Sequence, residues 1–252
     1  MEAHRSIPEE LLDAYTLNGE IPVFNYFFLN CSSNNKPDWS AAYLKSFTDR
    51  FTFENIRNNT HGTENYPGAS LLHVNVCTKY ITSVHNKHVA VIGSEKPWIE
   101  AILVNAGAKS VTTVEYNCPV CNHDIIKAIT YDEFSTSSVK YDTIFSFSSL
   151  EHSGLGRYGD PLNPNGDIET MQHIYSALND GGFCFLGVPV GADWLVWNAH
   201  RVYGEKRLKL MYLDKFKEIE WFGCDKSYIY SNPPVQSTGE PSFIQPIIVL
   251  QK

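Results

Sequence analysis

The chain has 252 residues, 43% of them hydrophobic and 19% charged, with 20 Lys and Arg against 28 Asp and Glu for a formal net charge of −8. This supply of apolar side chains excludes extended disorder, and the acidic balance without a basic stripe argues against nucleic acid as a partner. At roughly 150 residues per domain, the length fits one large domain with an appendage.

The amino terminus, Met1-Glu2-Ala3-His4-Arg5-Ser6-Ile7-Pro8-Glu9-Glu10, is polar and acidic and reads as neither a signal nor a transit peptide. No apolar run reaches the length of a membrane helix, so the expected compartment is the cytoplasm, with no membrane partner. Ser6 with Glu9 has the spacing of a capping box opening a helix through Tyr15, and 39–47 reads as a second helix. Leu71, Leu72, Val74, Val76, Tyr80, Ile81 and Val84 suit a third helix, although their β-branched content leaves a strand open. Residues 1–86 are therefore expected to form a mainly helical lid.

From His88 the pattern changes to strands alternating with helices, the sign of a mostly parallel sheet covered on both faces, and residues 87–252 are expected to form that domain. The run 89–93 is a short apolar strand, 97–105 a helix with Pro in its first turn, and Gly107 its left-handed stop. Further strands are expected at 110–116, 141–150, 183–188, 221–230 and 243–250, with 125–130 open between helix and strand. A helix from Asp167 to Asn179 is expected to end at Gly181-Gly182.

Four motifs carry possible chemistry. Gly93-Ser94-Glu95-Lys96-Pro97-Trp98 lies where a strand turns into a helix, and free backbone N–H groups there favour a polar or anionic ligand. Glu115, some twenty residues on, stands where a carboxylate meets a ribose hydroxyl pair; a solvated strand-end acid is the plainer alternative. Gly154-Leu155-Gly156-Arg157-Tyr158-Gly159 matches a dinucleotide fingerprint in letters, but Pro161 and Pro164 forbid the helix that should follow. It reads instead as a flexible loop over the carboxyl end of the sheet. That loop opens with Ser148-Ser149-Leu150-Glu151-His152, where either member of the Glu151–His152 pair can take a proton. Equally, Glu151 can bind backbone N–H groups while His152 packs against a cofactor edge.

Asp160 and Asp167 follow in the loop, but loop carboxylates are usually solvated or capping, and no metal is expected. Cys118-Pro119-Val120-Cys121 with His123 lacks a second pair for structural zinc, and six scattered cysteines are too sparse for a disulfide framework. The sequons Asn30-Cys31-Ser32 and Asn58-Asn59-Thr60 point the other way, toward a secretory route. In Asn198-Ala199-His200-Arg201-Val202-Tyr203-Gly204, substrate contact and helix-cap packing are both open.

The order of strand, turn at Gly93, acid at Glu115, Ser149-Leu150-Glu151-His152 after a later strand, and Leu178-Asn179-Asp180-Gly181-Gly182-Phe183 before the next resembles the class I S-adenosylmethionine-dependent methyltransferases. More closely, residues 93–100, 149–160 and 200–204 resemble a domain family common in Caenorhabditis, over roughly residues 60–252. The resemblance implies an α/β, Rossmann-like methyltransferase-type sheet and S-adenosylmethionine as cofactor. Gly93 and Glu115 would contact it, with Ser94 and Ser149 beside them. The acceptor would be a small or sugar-like molecule methylated on oxygen or nitrogen, with His152 or Glu151 taking the proton and Asp160, His200, Arg201 and Tyr203 as substrate contacts. In this sequence Ser94-Glu95-Lys96-Pro97 stands where methyltransferases carry further glycines. Two other classes remain in view: a non-catalytic binding protein on the same fold, and a nucleotide-sugar enzyme.

Overall fold

The computed structural model describes residues 5–28, 36–64, 66–230 and 239–252; the Asn30-Cys31-Ser32 sequon lies outside them. The chain begins with α1 (Glu9–Thr16), β1 (Val23–Tyr26), β2 (Asp38–Trp39), α2 (Ala41–Arg50), α3 (Phe53–Arg57), α4 (Ala69–Lys79) and α5 (Ile81–Val84). The central part follows as β3 (His88–Ile92), α6 (Trp98–Asn105), β4 (Ser110–Glu115), β5 (Val120–Cys121), β6 (Ile126–Thr130), α7 (Tyr131–Thr136) and β7 (Tyr141–Phe147). The chain then runs through α8 (Gly166–Ala177), β8 (Leu178–Gly187), β9 (Trp194–Asn198), β10 (His200–Val202), α9 (Glu205–Leu208), β11 (Lys217–Phe222) and β12 (Ile247–Gln251).

Among the described residues, seven strands form one sheet in the order β11-β12-β8-β7-β3-β4-β6. The pairs β3–β4, β3–β7, β4–β6 and β7–β8 are parallel, while β12 and β11 close one edge antiparallel. Side chains on a strand alternate between faces, and here both faces are apolar. Val89 and Val91 of β3 join a core with Leu44, Phe47, Val74, Ile99 and Ile102, while Ala90 and Ile92 join another with Phe134, Met171, Ile174 and Tyr212. Helices therefore cover both faces, as the apolar runs predict. Helices α2, α3 and α4 share the first of these cores with the sheet. No helix among the described residues is long and apolar enough to cross a membrane.

Chain direction reverses between β3 and β7: the path runs outward through β4 and β6, then crosses back to β7. Ligands of open α/β sheets sit at such a switch point, outside the carboxyl ends of the strands. Gly93 and residues 148–152 occupy it.

Several local expectations change. The first helix starts after Pro8 with no side-chain cap, so Ser6 and Glu9 do not form a box. Trp39 belongs to β2, and Ser40 caps α2 by accepting the Tyr43 N–H at 3.3 Å. The run 71–84 divides into α4 and α5 at Tyr80, and 125–130 resolves as β6. The helix α8 stops at Ala177, and Gly181-Gly182 lie inside β8, where the pairing with β7 shifts register. The expected strand at 221–230 lies earlier: β11 ends at Phe222 because Gly223 takes φ +97°, a conformation open to glycine, and a 3₁₀ turn follows at Lys226–Tyr230. A second, three-stranded sheet pairs β1 parallel with β9, joining Phe24 to Val196. Local pattern carries no sign of a pairing so distant in sequence.

The residue expected to cap α8 does something else. Asp167 is fully buried and receives Arg207 through two bonds, Nε to Oδ2 at 3.0 Å and Nη2 to Oδ1 at 2.5 Å. Tyr203 donates to Oδ2 at 3.1 Å, and the Arg201 Nε lies 3.7 Å from the same oxygen. Burial pushes this carboxyl up, but Arg201 and Arg207 outweigh it and hold the pKa below the ordinary value. Removing one partner of a buried ion pair strands a charge. Arg207→Leu should therefore lower urea stability by about 3–5 kcal/mol, and adding Asp167→Asn should recover part of that loss in a double-mutant cycle.

Candidate functional site

At the end of β3, Gly93 takes φ +75° and its N–H bonds the Val114 carbonyl at 3.0 Å. A Cβ at this position would meet the Ser149 Oγ at 1.9 Å, so the turn after β3 and the turn after β7 are in direct contact. The next residue, Ser94, is buried, with its Oγ 2.9 Å from both the Lys96 carbonyl and Glu100 Oε2. Glu100 is a fully buried carboxyl on α6 that also accepts from Thr113 Oγ1 at 2.7 Å. Burial pushes it up to about 7, against the bonds from Thr113 and Ser94. Sequence reasoning missed it; its sign was one acid inside the apolar run Trp98-Ile99-Glu100-Ala101-Ile102-Leu103-Val104.

Glu115 ends β4 across the same turn. Its Oε2 accepts the Tyr116 N–H at 3.0 Å, and the Ser94 N–H also bonds the carboxyl. Burial raises its pKa to about 7, these bonds lower it, and Glu95 adds a repulsion that raises it. Gly93, Glu115 and Ser149 thus line one cleft, with Tyr116 and Tyr131 on its outer side. Those two rings stack at 5.0 Å and 23°, and the Tyr131 hydroxyl bonds Thr170 and His173. The chemistry suits a nucleoside, because a strand-end carboxylate beside a glycine turn matches a ribose diol. The space is narrower: the cavity is about 30 Å³, against about 300 Å³ or more for small-molecule sites.

The second cluster lies at the end of β7. Ser148 adopts φ +53° and gives its hydroxyl to Glu151 Oε1 at 2.9 Å. Glu151 is buried, its Oε2 has no hydrogen-bond partner, and burial pushes its pKa up to about 7. His152 donates from Nδ1 to the Ala199 carbonyl at 2.6 Å, which leaves Nε2 as the acceptor, 3.7 Å from Glu151 Oε1. Burial, then the Arg157 charge, pushes His152 down to about 3. Arg157 shares the Ala199 carbonyl at 3.0 Å and lies over the rings of Phe28 and Tyr158 at 4.6 and 5.1 Å. His200 faces the same group, with its ring centre 6.5 Å from that of His152 and a buried Nε2 lacking a hydrogen-bond partner.

The fold therefore brings together Gly93, Glu115 and Ser149 in one cleft, with Glu151, His152 and His200 beside it, whereas the Ser94 side chain points behind the turn to Lys96 and Glu100. Three other expected site residues bond to the protein itself. Asp160 accepts the N–H groups of Gly154 (2.8 Å), Gly156 (3.2 Å) and Tyr158 (3.2 Å). Arg201 donates to the Ser153 carbonyl at 2.6 Å, and Tyr203 belongs to the Asp167 network. These bonds, with Tyr15 Oη to the Gly154 carbonyl at 2.5 Å and Arg207 Nη2 to the Pro164 carbonyl at 2.5 Å, make the loop a pinned wall rather than a free flap. Of the Cys118–His123 motif, the Cys121 thiol donates to the Ile126 carbonyl and His123 Nδ1 accepts the Ile125 and Ile126 N–H groups. No group of three or more His, Cys, Asp and Glu among the described residues is arranged to hold a metal.

The sheet order and the site at its switch point define a Rossmann-like, methyltransferase-type fold. TehB from Haemophilus influenzae is similar at TM-score 0.51 and 14% identity, covering 79% of this chain and 67% of that one. N-methyltransferase NodS from Bradyrhizobium japonicum WM9, in complex with S-adenosyl-l-homocysteine, is similar at TM-score 0.50 and 11% identity, covering 79% and 97%. At such identities the likeness establishes the fold. The chain belongs to the family described as Caenorhabditis protein of unknown function, DUF268, whose model matches residues 86–252. No curated protein matches.

Two measurements test this geometry. Gly93→Ala should destabilise the protein both by collision with Ser149 and by left-handed strain; Ser149→Gly in the same chain should relieve the collision and leave about 1–2 kcal/mol of strain in urea unfolding. The second is acid stability. Glu100 and Glu151, raised to about 7, stabilise fully below their ordinary 4.5, and this contribution is lost as pH rises through about 7. His73 and His152, lowered to about 4 and about 3, contribute fully above 6.5 and lose this as pH falls. With Glu115, also raised to about 7, and His200, lowered to about 4, the acids and the histidines oppose each other between roughly 4.5 and 6.5, so denaturant midpoints should stay nearly level there and fall steeply below roughly 4.5.

Proposed function

We propose that this protein is an S-adenosylmethionine-dependent methyltransferase acting on an oxygen or nitrogen of a small or sugar-like acceptor. The observation that carries the reading is the placement of Glu115 at the carboxyl end of β4, across the Gly93 turn at the switch point of a methyltransferase-type sheet. The Glu115 carboxylate would accept the ribose hydroxyls, Gly93 and Ser149 would line the rest of the cleft, and the Ser94 N–H would hold the carboxylate in place. When bound, S-adenosylmethionine supplies an electrophilic methyl group on a sulfonium.

The proton leaving the acceptor falls to the Glu151–His152 pair. A general base works best with a pKa near the operating pH, which favours Glu151, at about 7, over His152, at about 3. His152, held by Ala199, then orients the acceptor through Nε2. Arg157 and His200 form the polar surroundings in which a hydroxylated or amine acceptor would be held.

One observation favours a second reading, a binding protein without catalysis: the cleft of about 30 Å³, with Glu95 repelling Glu115. Calorimetry tests the cofactor, and a turnover assay separates the two readings. S-adenosylhomocysteine should bind the wild type, and Glu115→Gln should weaken it about tenfold or more, the loss of hydrogen bonds to a charged group worth about 1.5–3 kcal/mol each. In methyl-transfer screens against hydroxyl compounds, sugars and amines, Glu151→Gln should lower the rate about 10²–10⁴-fold with cofactor affinity retained. The wild-type rate should rise with pH through about 7 as Glu151 loses its proton. Absence of heat with S-adenosylhomocysteine at about 5 mM, a concentration at which even weak cofactor sites fill, overturns the methyltransferase reading.

A further inference from the structure

A cavity of about 330 Å³ opens between α2, residues 63 and 64, and the start of α6, on residues that the cleft at Gly93 does not use. This is the size of a small-molecule site. Its apolar wall follows from sequence: Tyr43, Phe47 and Phe51 recur every four residues and share one side of α2. Phe47 and Phe51 stack at 5.7 Å and 6°, Tyr43 meets Phe47 at 5.0 Å, and Trp98 closes the far side 6.5 Å from Phe51.

Two cations stand on the rim. The Arg50 guanidinium lies over the Phe51 and Phe47 rings at 4.5 and 5.1 Å, with one long bond, 3.5 Å, to the Thr63 carbonyl. Lys96 is exposed on the turn that leads into α6. Among the described residues neither forms an ion pair. The lining holds one carboxylate, Glu64, and its oxygens accept the Gly68 N–H at 2.5 Å, the Ser70 N–H at 3.1 Å and the Ser70 hydroxyl, so it is engaged with the amino end of α4. Behind it, His61 is buried, and neither ring nitrogen has a hydrogen-bond partner. Asp49 and Glu95, the acids next to Arg50 and Lys96 along the chain, do not line the cavity; Asp49 pairs with Lys45 at 2.7 Å, and the Glu95 charge reaches Tyr43. Aromatic walls, two cations without an ion pair and an already engaged carboxylate select an aromatic anion.

We propose that this cavity binds a small aromatic carboxylate, its ring held by the partly exposed Tyr43 and Trp98 with the buried Phe47 and Phe51 behind them, and its carboxylate between Arg50 and Lys96. The site is separate from the nucleoside cleft, and the proposal does not depend on the methyltransferase reading.

The probe is 2-naphthoate, followed by calorimetry and by quenching of Trp98 fluorescence, with Trp98→Phe as the spectroscopic control. The wild type should bind one equivalent with a dissociation constant below about 1 mM, and the neutral 2-naphthylmethanol should bind at least about tenfold more weakly. Lys96→Gln, a change at an exposed side chain, and Arg50→Gln should each weaken naphthoate at least about fivefold at unchanged urea midpoint. Glu115→Gln should leave naphthoate binding as it is, which distinguishes this site from the cofactor cleft. No saturable binding at about 5 mM naphthoate, equal affinity for the neutral isostere, or undiminished affinity in folded Lys96→Gln overturns the proposal.

Discussion

A single carboxylate organises the carboxyl end of the sheet. Asp167 sits in the first turn of α8 without contact with solvent and is stable there because Arg207, Arg201 and Tyr203 come to it from beyond β9. An ion so placed loses its hydration and must recover it from nearby cations and hydrogen-bond donors. The remaining N–H groups of the two arginines then need acceptors of their own, and they find them on the carbonyls of Ser153 and Pro164. The loop between β7 and α8 is wound around this demand. Its glycines and prolines, which in isolation suggest mobility, allow the turns that bring those carbonyls inward; a Cβ at Gly154 would strike the Asn163 carbonyl at 2.0 Å. Tyr15 adds its hydroxyl to the same loop, which ties α1 to the carboxyl end of the sheet.

The wall formed in this way fixes Ser149 against Gly93 and so sets the width of the cleft. A glycine at that strand end has two possible uses, approach by a ligand or approach by the protein's own backbone and side chains. Here the second is realised, because the Ser149 side chain occupies the space beside the Gly93 Cα. Behind the turn, the buried Glu100 carboxyl reaches Ser94 and Thr113 and joins α6 to β4. A hydroxyl has one proton to give, so with both the Lys96 carbonyl and Glu100 within 2.9 Å of Ser94 Oγ, a protonated Glu100 completes the set. The raised pKa of that carboxyl agrees with this arrangement.

Burial also divides the labour between Glu151 and His152. Desolvation penalises the charged form of either residue, which raises an acid and lowers a base. Two neighbours in sequence, both held in the same wall, are thereby moved in opposite directions: the carboxyl up to about 7, and the imidazole down to about 3 so that it resists protonation. Arg157, shared between the Ala199 carbonyl and two aromatic rings, adds a fixed positive charge that deepens the effect on His152.

What could be read from the residues alone was whatever depends on near neighbours. The short apolar runs at 89–93, 110–116 and 141–150 locate to within three residues the strands found at 88–92, 110–115 and 141–147, and punctuation locates helices between them, so the parallel sheet and the positions of Gly93, Glu115 and Glu151 at or just past its strand ends follow directly. The order of the Gly93 turn, Glu115, Ser149-Leu150-Glu151-His152 and the run 178–183 adds the resemblance to methyltransferases, and the motifs at 93–100, 149–160 and 200–204 add the resemblance to the Caenorhabditis family. Only the tertiary structure decided the rest. The pairing of β1 with β9 joins segments far apart in the chain, and no local pattern encodes it. Asp167 and Arg201 look in sequence like a helix cap and an anion binder, yet they meet in a buried ion pair, because which charges lose their water depends on what packs over them. The same reason applies to the closed cleft at Gly93 and to the two protonation states at 151 and 152: volume and desolvation are properties of the packed molecule, and they arise from residues that only folding brings together.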